Sequence, residues 1–378
     1  MHDALFSAYD NEPSWGIAHR IIYPHLTTTA ISSQVPTIVV QTEQLTAKWA
    51  KSGMKTRFDV TDGLRRLNLQ CVIKCLFSQD YSYLEGPEPS MIVAMDGATL
   101  EAIKRPTRPK LVNWLVYQRR FTQDTKAMRG FAAEVVKKRQ NDPQQKGIEG
   151  DMLHVLLNGK DPETGKGLTD SEIIDEVVTL LIGVTTAPNF VAFALYYLTK
   201  NPDVIKKAQS EIDQVLPKGE QFTHEHLQKL QYVEAILREV MRLSAPAPGF
   251  NIEPLPSTVD PVQLGGGKYT VPKNQVMISI LSAVNRDPTV FDNPEEFLPE
   301  RMLGEKYDQL PSGVKKGFGN GKRMCIGNKY AWQWSMVTLT TILRELDLNA
   351  ADANYQLRMD GAFNVKPVGF FAVGAVKG

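Results

Sequence analysis

Cysteine is scarce in this chain of 378 residues, and its acidic and basic residues nearly balance. Three cysteines are too few for a disulfide framework and indicate a reducing compartment. The formal net charge of +1 argues against nucleic acid as the main partner. The sequence shows no signal peptide and no run of the about 18 to 20 apolar residues that span a bilayer. We therefore expect a cytoplasmic monomer that is at most peripheral to a membrane.

Apolar residues are plentiful by contrast. They make up 42% of the chain, enough to fill the core of one large domain or of two. Cys71 and Cys75 lie one helical turn apart, a spacing that would allow them to share a metal ion. Partner ligands are not apparent nearby in the sequence, so we predict that both are buried, inert thiols.

The most informative stretch is Phe318–Gly327, which reads Phe-Gly-Asn-Gly-Lys-Arg-Met-Cys-Ile-Gly and precedes an apolar, helix-like run. Its glycines permit positive-φ turns and close backbone approach, which would hold Cys325 on a rigid loop at the start of a helix. Backbone N–H donors, the helix N-terminus and a metal would keep the thiol ionised. We interpret Cys325 as a metal-bound thiolate. The alternative is a glycine-rich turn that carries an ordinary buried cysteine.

The spacing of this stretch resembles the haem-ligand signature of the cytochromes P450: aromatic, two residues, glycine, one residue, arginine, one residue, cysteine, one residue, glycine. The resemblance implies that Cys325 is the proximal ligand to the iron of haem b, where a thiolate donates electron density and favours O–O cleavage. It also implies that Phe318 lies beside the sulfur and that Arg323 pairs with a haem propionate. Gly319 and Gly327 would shape the cofactor-binding loop.

A second contact to the cofactor is implied near the N-terminus. Pro13 suits the first turn of a helix that Pro24 would stop, and Trp15 and His19 lie one turn apart on that helix. The segment resembles the P450 helix that crosses the haem edge, which makes Trp15 a propionate contact and His19 a further candidate. The alternative is a core tryptophan beside a surface histidine.

A long apolar helix is predicted from the N-cap candidates Thr169-Asp170-Ser171 to about Lys200. Pro188 should kink it just beyond that residue, because proline lacks an N–H. The segment resembles the central P450 helix, which passes over the distal face of the haem.

That central helix usually carries a small residue, glycine, any residue, an acid and then threonine. Gly183 matches the glycine and Thr186 the threonine, but Thr185 stands at the position of the acid. A hydroxyl can pass on a proton through water, yet it cannot hold the proton reserve of a carboxylate. The resemblance makes these three residues the candidate catalytic group, with proton delivery altered at Thr185.

Two further motifs match the family. Glu239 and Arg242 form a Glu-x-x-Arg pair on one face of a predicted helix. An exposed ion pair would contribute ~0–1 kcal/mol, and this is the alternative reading. The resemblance instead implies a buried network with Arg301, whose loss would disorder the haem loop.

The resemblance runs over nearly the whole chain from Phe6 onward and is closest to the bacterial and fungal P450–reductase fusions that hydroxylate fatty acids. It implies a mainly α, P450-like helical fold with small β-sheets, folded as one haem domain over residues 1–378. The small sheet that the family forms near its N-terminus is missing. Phe6, Ala247 and Ile182 are the implied substrate contacts.

The implied activity is a haem-thiolate monooxygenase that uses O2, NADPH and a flavin (FAD/FMN) reductase on a fatty acid or similar small apolar substrate. Lys315, Lys316, Lys322 and Lys329 surround the cysteine loop and are either solvated lysines or a docking face for that acidic partner. The competing class is a non-oxygenating haem-thiolate protein: an isomerase, a dehydratase or a ligand-binding remnant. Thr185, Pro188 and the short N-terminus favour this second class.

Overall fold

The computed structural model describes residues 4–9, 11–255, 257–361 and 363–377. Within them the protein is mainly helical with small antiparallel sheets, which confirms the predicted fold class. The longer helices are Pro13–Ile22, Val35–Ser52, Val60–Phe77, Ser90–Lys104, Gln118–Asn141, Met152–Asn158, Asp170–Ile182, Thr186–Lys200, Pro202–Val215, Gln231–Leu243 and Asn328–Glu345. Short helices lie at Thr28–Ile31, Lys110–Val112, Pro143–Lys146, His224–Leu227, Leu281–Val284 and Gly304–Asp308, with a π-helix at Asn113–Tyr117.

The strands are short and form four antiparallel groups among the described residues. Three strands pair in the order Phe58–Asp59, Phe371–Val376 and Leu346–Ala350. Gly249–Ile252 pairs with Met277–Ile280, Val262–Leu264 with Tyr269–Val271, and Met359–Gly361 with Val365–Pro367. The sequence predicts that strands within 268–281 flank one turn; the two strands there exist, but each pairs with an earlier strand. We refer to the last pair, residues 359–367, as the C-terminal hairpin.

One hydrophobic cluster contains buried side chains from every long helix named above. At its centre lies the segment Asp170–Lys200, which begins at a capping box. The Thr169 hydroxyl accepts from the backbone of Glu172, and the Glu172 carboxylate accepts from the backbone of Thr169 at 2.7 Å. Thr169 is therefore the N-cap among the three residues that the sequence offered.

The same segment is long and apolar enough to cross a membrane by length and composition alone, with 31 residues. The sequence-based expectation that no such segment exists is wrong by this measure. Inside the protein, however, 78% of its most apolar part is buried. Its apolar length is therefore accounted for by packing in the core.

The central segment is interrupted by a 3-10 turn at Gly183–Thr185. Pro188 has no N–H to offer the carbonyl of Val184, and its ring crowds that carbonyl. The buried side-chain amide of Asn68 donates to this carbonyl oxygen instead, at 2.6 Å. The predicted kink beyond Pro188 is thus displaced to the turn before it, because proline acts on the residue four positions earlier.

Replacing Asn68 with leucine should lower the free energy of unfolding by ~1–3 kcal/mol, because the buried carbonyl of Val184 loses its donor. The matched background is Pro188→Ala, which returns an N–H to the helix. In that background we expect the cost of Asn68→Leu to fall by about 1 kcal/mol. Urea unfolding of the four proteins, followed by circular dichroism, measures this cycle. An equal cost in both backgrounds would mean that Asn68 acts through packing alone.

Candidate functional site

The cysteine loop is a tight turn that ends at the helix Asn328–Glu345. Gly319 and Gly321 have φ of 82° and 63°, a region that favours glycine. The backbone N–H of Cys325 donates to the carbonyl of Phe318 at 2.9 Å, which closes the loop. Gly327 lies at the N-cap with φ of −85°, so the positive-φ argument applies to the first two glycines and not to the third.

The Cys325 side chain has solvent-accessible surface, yet the protein atoms packed around it desolvate the thiol. This desolvation raises the pKa of Cys325, while a hydrogen bond from the backbone of Gly327 lowers it and offsets part of the rise. The protein alone therefore does not favour the thiolate at this position. A bound metal cation would supply the missing stabilisation, because a coordinating thiol is deprotonated by the charge of the metal.

Arg323, Trp15 and His19 lie together beside the cysteine loop. The guanidinium carbon of Arg323 is 5.3 Å from the ring centroid of Trp15, and Trp15 stacks on His19 with centroids 5.1 Å apart. Burial, followed by the positive charges of Arg20 and Arg323, lowers the pKa of His19. Both effects disfavour the charged form of His19, whereas the guanidinium of Arg323 brings a full positive charge.

Aromatic side chains lie between the cysteine loop and the central segment. Phe318 meets Trp332 edge to face at 6.3 Å between ring centroids, and Trp332 is 6.1 Å from Phe190 of the central segment. Sequence reasoning named Phe318 but missed Trp332, which lies one turn into the helix after Cys325. Trp332 therefore links the loop to the segment that carries the predicted catalytic residues.

The predicted catalytic group lies at the 3-10 turn. Between Glu172 and Lys200, all of which the structure describes, Gly183 is the only exposed residue. Ile182 and Thr185 are buried, and Thr186 is half-buried. The helix is therefore open at the glycine and closed on either side of it.

Two more predicted residues, Phe6 and Ala247, lie near the C-terminal hairpin. Phe363 at its tip contacts Phe6 edge to face at 5.7 Å between centroids. The backbone N–H of Val365 donates to the carbonyl of Pro246 at 2.7 Å, next to the half-buried Ala247. Sequence reasoning did not single out this hairpin, and a turn-like Gly-Ala-Phe-Asn run was its only local signal. The hairpin joins the predicted substrate contacts from two distant parts of the chain.

Glu239 and Arg242 lie on one face of the helix Gln231–Leu243, and both are buried. Two parallel hydrogen bonds join them, from Arg242 Nε to Glu239 Oε2 at 2.8 Å and from Nη2 to Oε1 at 2.7 Å. Arg301 Nε lies 3.4 Å from the same Oε1. The structure thus joins the buried pair and the half-buried Arg301 in one network and excludes the exposed ion pair.

The remaining donors of this network bind the backbone that leads to the cysteine loop. Arg242 donates to the carbonyls of Asn285, Pro294 and Glu296, Arg301 donates to those of Asp292 and Asn293, and the N–H of Leu298 donates to Glu239. The guanidinium of Arg242 also lies 4.9 Å over the ring of Phe291. Residues 285–301 have little regular structure, so these bonds take the place of a helix or sheet ladder.

The family model described as Cytochrome P450 matches residues 2–370 of this chain. The chain belongs to the cytochrome P450 family. A bifunctional cytochrome P450/NADPH–P450 reductase of Acremonium egyptiacum is 35% identical over 379 residues, and a self-sufficient cytochrome P450 monooxygenase of Exserohilum turcicum is 38% identical over 376. Each alignment covers 98% of this P450 but only 35% and 34% of the relative, so the chain spans about a third of their length.

Two solved P450 structures match the whole chain with a TM-score of 0.89. One is a crystal structure of a cytochrome P450, 27% identical and covered over 85% of its length. The other is a cytochrome P450DA haem domain, 28% identical and covered over 80%. These matches confirm the predicted P450-like helical fold.

A P450 implies haem as its cofactor, and the residues present fit that group. Cys325 offers a soft sulfur ligand from a rigid loop, and the charged Arg323 beside Trp15 suits a propionate. Among the described residues, no group of three or more histidine, cysteine, aspartate or glutamate side chains could hold a metal ion. Cys71 is buried as predicted, whereas Cys75 is half-buried, so the prediction that both are buried is wrong for Cys75. Desolvation raises the pKa of Cys71, and that of Cys75 to about 12.

Glu239→Ala should lower the free energy of unfolding by ~3–5 kcal/mol, because it leaves the buried guanidinium of Arg242 without its carboxylate. We expect a loss of bound haem as residues 285–301 loosen. The control is Glu234→Ala on the same helix, which removes a partly exposed pair with Arg238 and should cost ~0–1 kcal/mol. Thermal unfolding and the ratio of haem to protein absorbance measure both effects. Equal behaviour of the two variants would contradict the proposed importance of the network.

Proposed function

We propose that this P450 is a haem-thiolate monooxygenase that hydroxylates a fatty acid or a similar apolar substrate, as one haem domain over residues 1–378. The observation that carries the proposal is Cys325, presented on a closed glycine loop. The Glu239 network holds irregular backbone that precedes this loop. The relatives named as monooxygenases and as P450–reductase proteins support the same reaction class. The isomerase, dehydratase or remnant class gains no support from them.

When bound, haem supplies the activation of O2, with one oxygen atom inserted into a C–H bond and the other released as water. Cys325 would ligate the iron, and Gly319 and Gly327 would keep its loop close to the ring. Arg323 and Trp15 would hold the propionates, with His19 as a hydrogen-bonding neighbour. Each of these roles belongs to a side chain or loop that the structure brings to one region.

On the opposite side of the site, the residues of the central segment would manage protons and substrate. Thr186 would hold a proton at its hydroxyl, and Gly183 leaves the helix open at that point. Phe6, Ala247 and Ile182 would contact the apolar substrate. Phe6 is exposed over about half of its surface, so its ring can meet a ligand while its edge contact to Phe363 orients it.

Electrons would come from a flavin reductase with FAD and FMN that uses NADPH. Lys322 and Lys329 are exposed and Lys316 is half-buried, so these three fit a docking face for an acidic partner. Lys315 donates instead to the carbonyls of Tyr307 and Asp308, which gives it a structural role. We place the protein in the cytoplasm as a monomer, or at the surface of a membrane.

Spectroscopy and turnover test the proposal in two steps. The purified protein should bind haem, and its reduced CO complex should show the long-wavelength band of a thiolate ligand. Cys325→Ser should abolish that band, whereas the control Cys75→Ser should retain it because Cys75 has no role at the iron. With NADPH and a flavin reductase, a long-chain fatty acid should then yield a hydroxylated product by mass spectrometry. Loss of the band together with absence of product in the wild-type protein would reject the proposal.

Thr185→Glu should increase the fraction of NADPH electrons that reach product, because it supplies the carboxylate that the acid position lacks. Thr185→Gln is the matched control, since glutamine has the size of glutamate but cannot release or take up a proton as a carboxyl group does. Product formed per NADPH consumed measures the effect. If the glutamate and glutamine variants are equally coupled, the missing acid does not limit the reaction.

A further inference from the structure

A single side chain of the C-terminal hairpin bonds to both threonines of the predicted catalytic group. The amide nitrogen Nδ2 of Asn364 donates to the hydroxyl oxygen of Thr185 at 2.6 Å. The Thr186 hydroxyl donates to the amide oxygen Oδ1 of the same residue at 3.2 Å. Asn364 is far from both threonines in the sequence, 178 positions after Thr186.

The hydroxyl of Thr185 has little else to hold it. Its contact to the carbonyl of Ile182 is 3.5 Å long, at the limit of a hydrogen bond. Thr185 is 5% exposed, so bulk water has little access to its hydroxyl. The bond from the amide of Asn364 is therefore the shorter of the two hydrogen bonds of the Thr185 hydroxyl.

The hairpin itself is fixed on three sides, which makes the position of the amide well defined. Phe363 packs on Phe6, and the N–H of Val365 bonds to the loop that contains Ala247. Lys366 Nζ lies 3.7 Å from a carboxylate oxygen of Asp96 on the helix Ser90–Lys104. An asparagine held in this way presents one donor and one acceptor in fixed directions.

We propose that Asn364 is a positioning residue for the distal hydroxyl pair. Its amide fixes the side chains of Thr185 and Thr186 and so performs the orienting part of the task that a carboxylate at the Thr185 position would perform. A neutral amide does not release a proton near neutral pH. The proton itself therefore has to come from water through Thr186. The inference rests on the proposed monooxygenase function and adds that the hairpin controls how well that reaction is coupled.

The test compares Asn364→Leu with Asp360→Asn on the haem-loaded protein. Leucine is similar in size and removes both bonds, whereas Asp360 is an exposed residue of the same hairpin. Hydrogen exchange of the peptide that covers residues 181–188 should be about fivefold faster in Asn364→Leu and unchanged in Asp360→Asn. Product per NADPH should fall about fivefold in the leucine variant, with peroxide released instead.

A double-mutant cycle with Thr185→Val separates positioning from a general loss of structure. If Asn364 acts through Thr185, adding Thr185→Val to Asn364→Leu should cause little further loss of coupling. Asn364→Asp is the second variant, because it keeps the acceptor for Thr186 and loses the donor to Thr185. Its exchange rate should lie between those of the wild type and Asn364→Leu.

The two failures are distinguishable. The positioning role would be overturned if Asn364→Leu, like Asp360→Asn, kept the wild-type exchange rate and the wild-type product per NADPH. Fully additive losses in the double-mutant cycle would also overturn it. A wild-type protein that binds haem but forms no hydroxylated product would overturn the proposed function. In that case the exchange data alone would still decide whether Asn364 holds the two threonines.

Discussion

The proximal half of the site depends on one buried ion pair. Glu239 and Arg242 are both removed from water, so neither charge is tolerable without the other. Their mutual hydrogen bonds use only some of their donors and acceptors. Other donors of Arg242 bind backbone carbonyls of residues 285–301, and Glu239 also pairs with Arg301. The chain that approaches Cys325 is thus held by side chains of a helix far from it in sequence. The pair thus anchors irregular backbone that precedes the loop of Cys325, the proposed ligand.

A second constraint shapes the distal half. Pro188 disrupts the central helix one turn earlier, where Gly183 and Thr185 lie in the 3-10 turn and Thr186 begins the next helix. The free carbonyl of Val184 is bonded by Asn68, and the two threonine hydroxyls are bonded by Asn364. Asparagine side chains from two other segments thus satisfy the polar groups that a continuous helix would satisfy itself. The irregular turn is stable because its partners come from outside the helix.

Local spacing made much of this predictable. Cys325, the Glu239–Arg242 pair and the N-cap Thr169 all follow from residues within a few positions of one another, where helix and loop geometry is well constrained. Asn68, Trp332, Phe363 and Asn364 were missed because their roles arise from contacts between distant segments. The prediction that the strands within 268–281 flank one turn was wrong for a related reason. Several short strands compete for each partner, and Tyr269–Val271 pairs with the strand before it. The amide of Asn364 at the threonines has no signature in the sequence around residue 364.

The edge contact between Phe6 and Phe363 has a consequence for folding. These rings come from opposite ends of the described chain, so bringing them together closes a very long loop at a high cost in chain entropy. Contacts of this kind form late, after the local helices and the cysteine loop have gained most of their packing. We therefore expect the hairpin that contacts the threonines to be the last part of the site to assemble. A folding intermediate would have its cysteine loop in place while the other face still admits large molecules from solution.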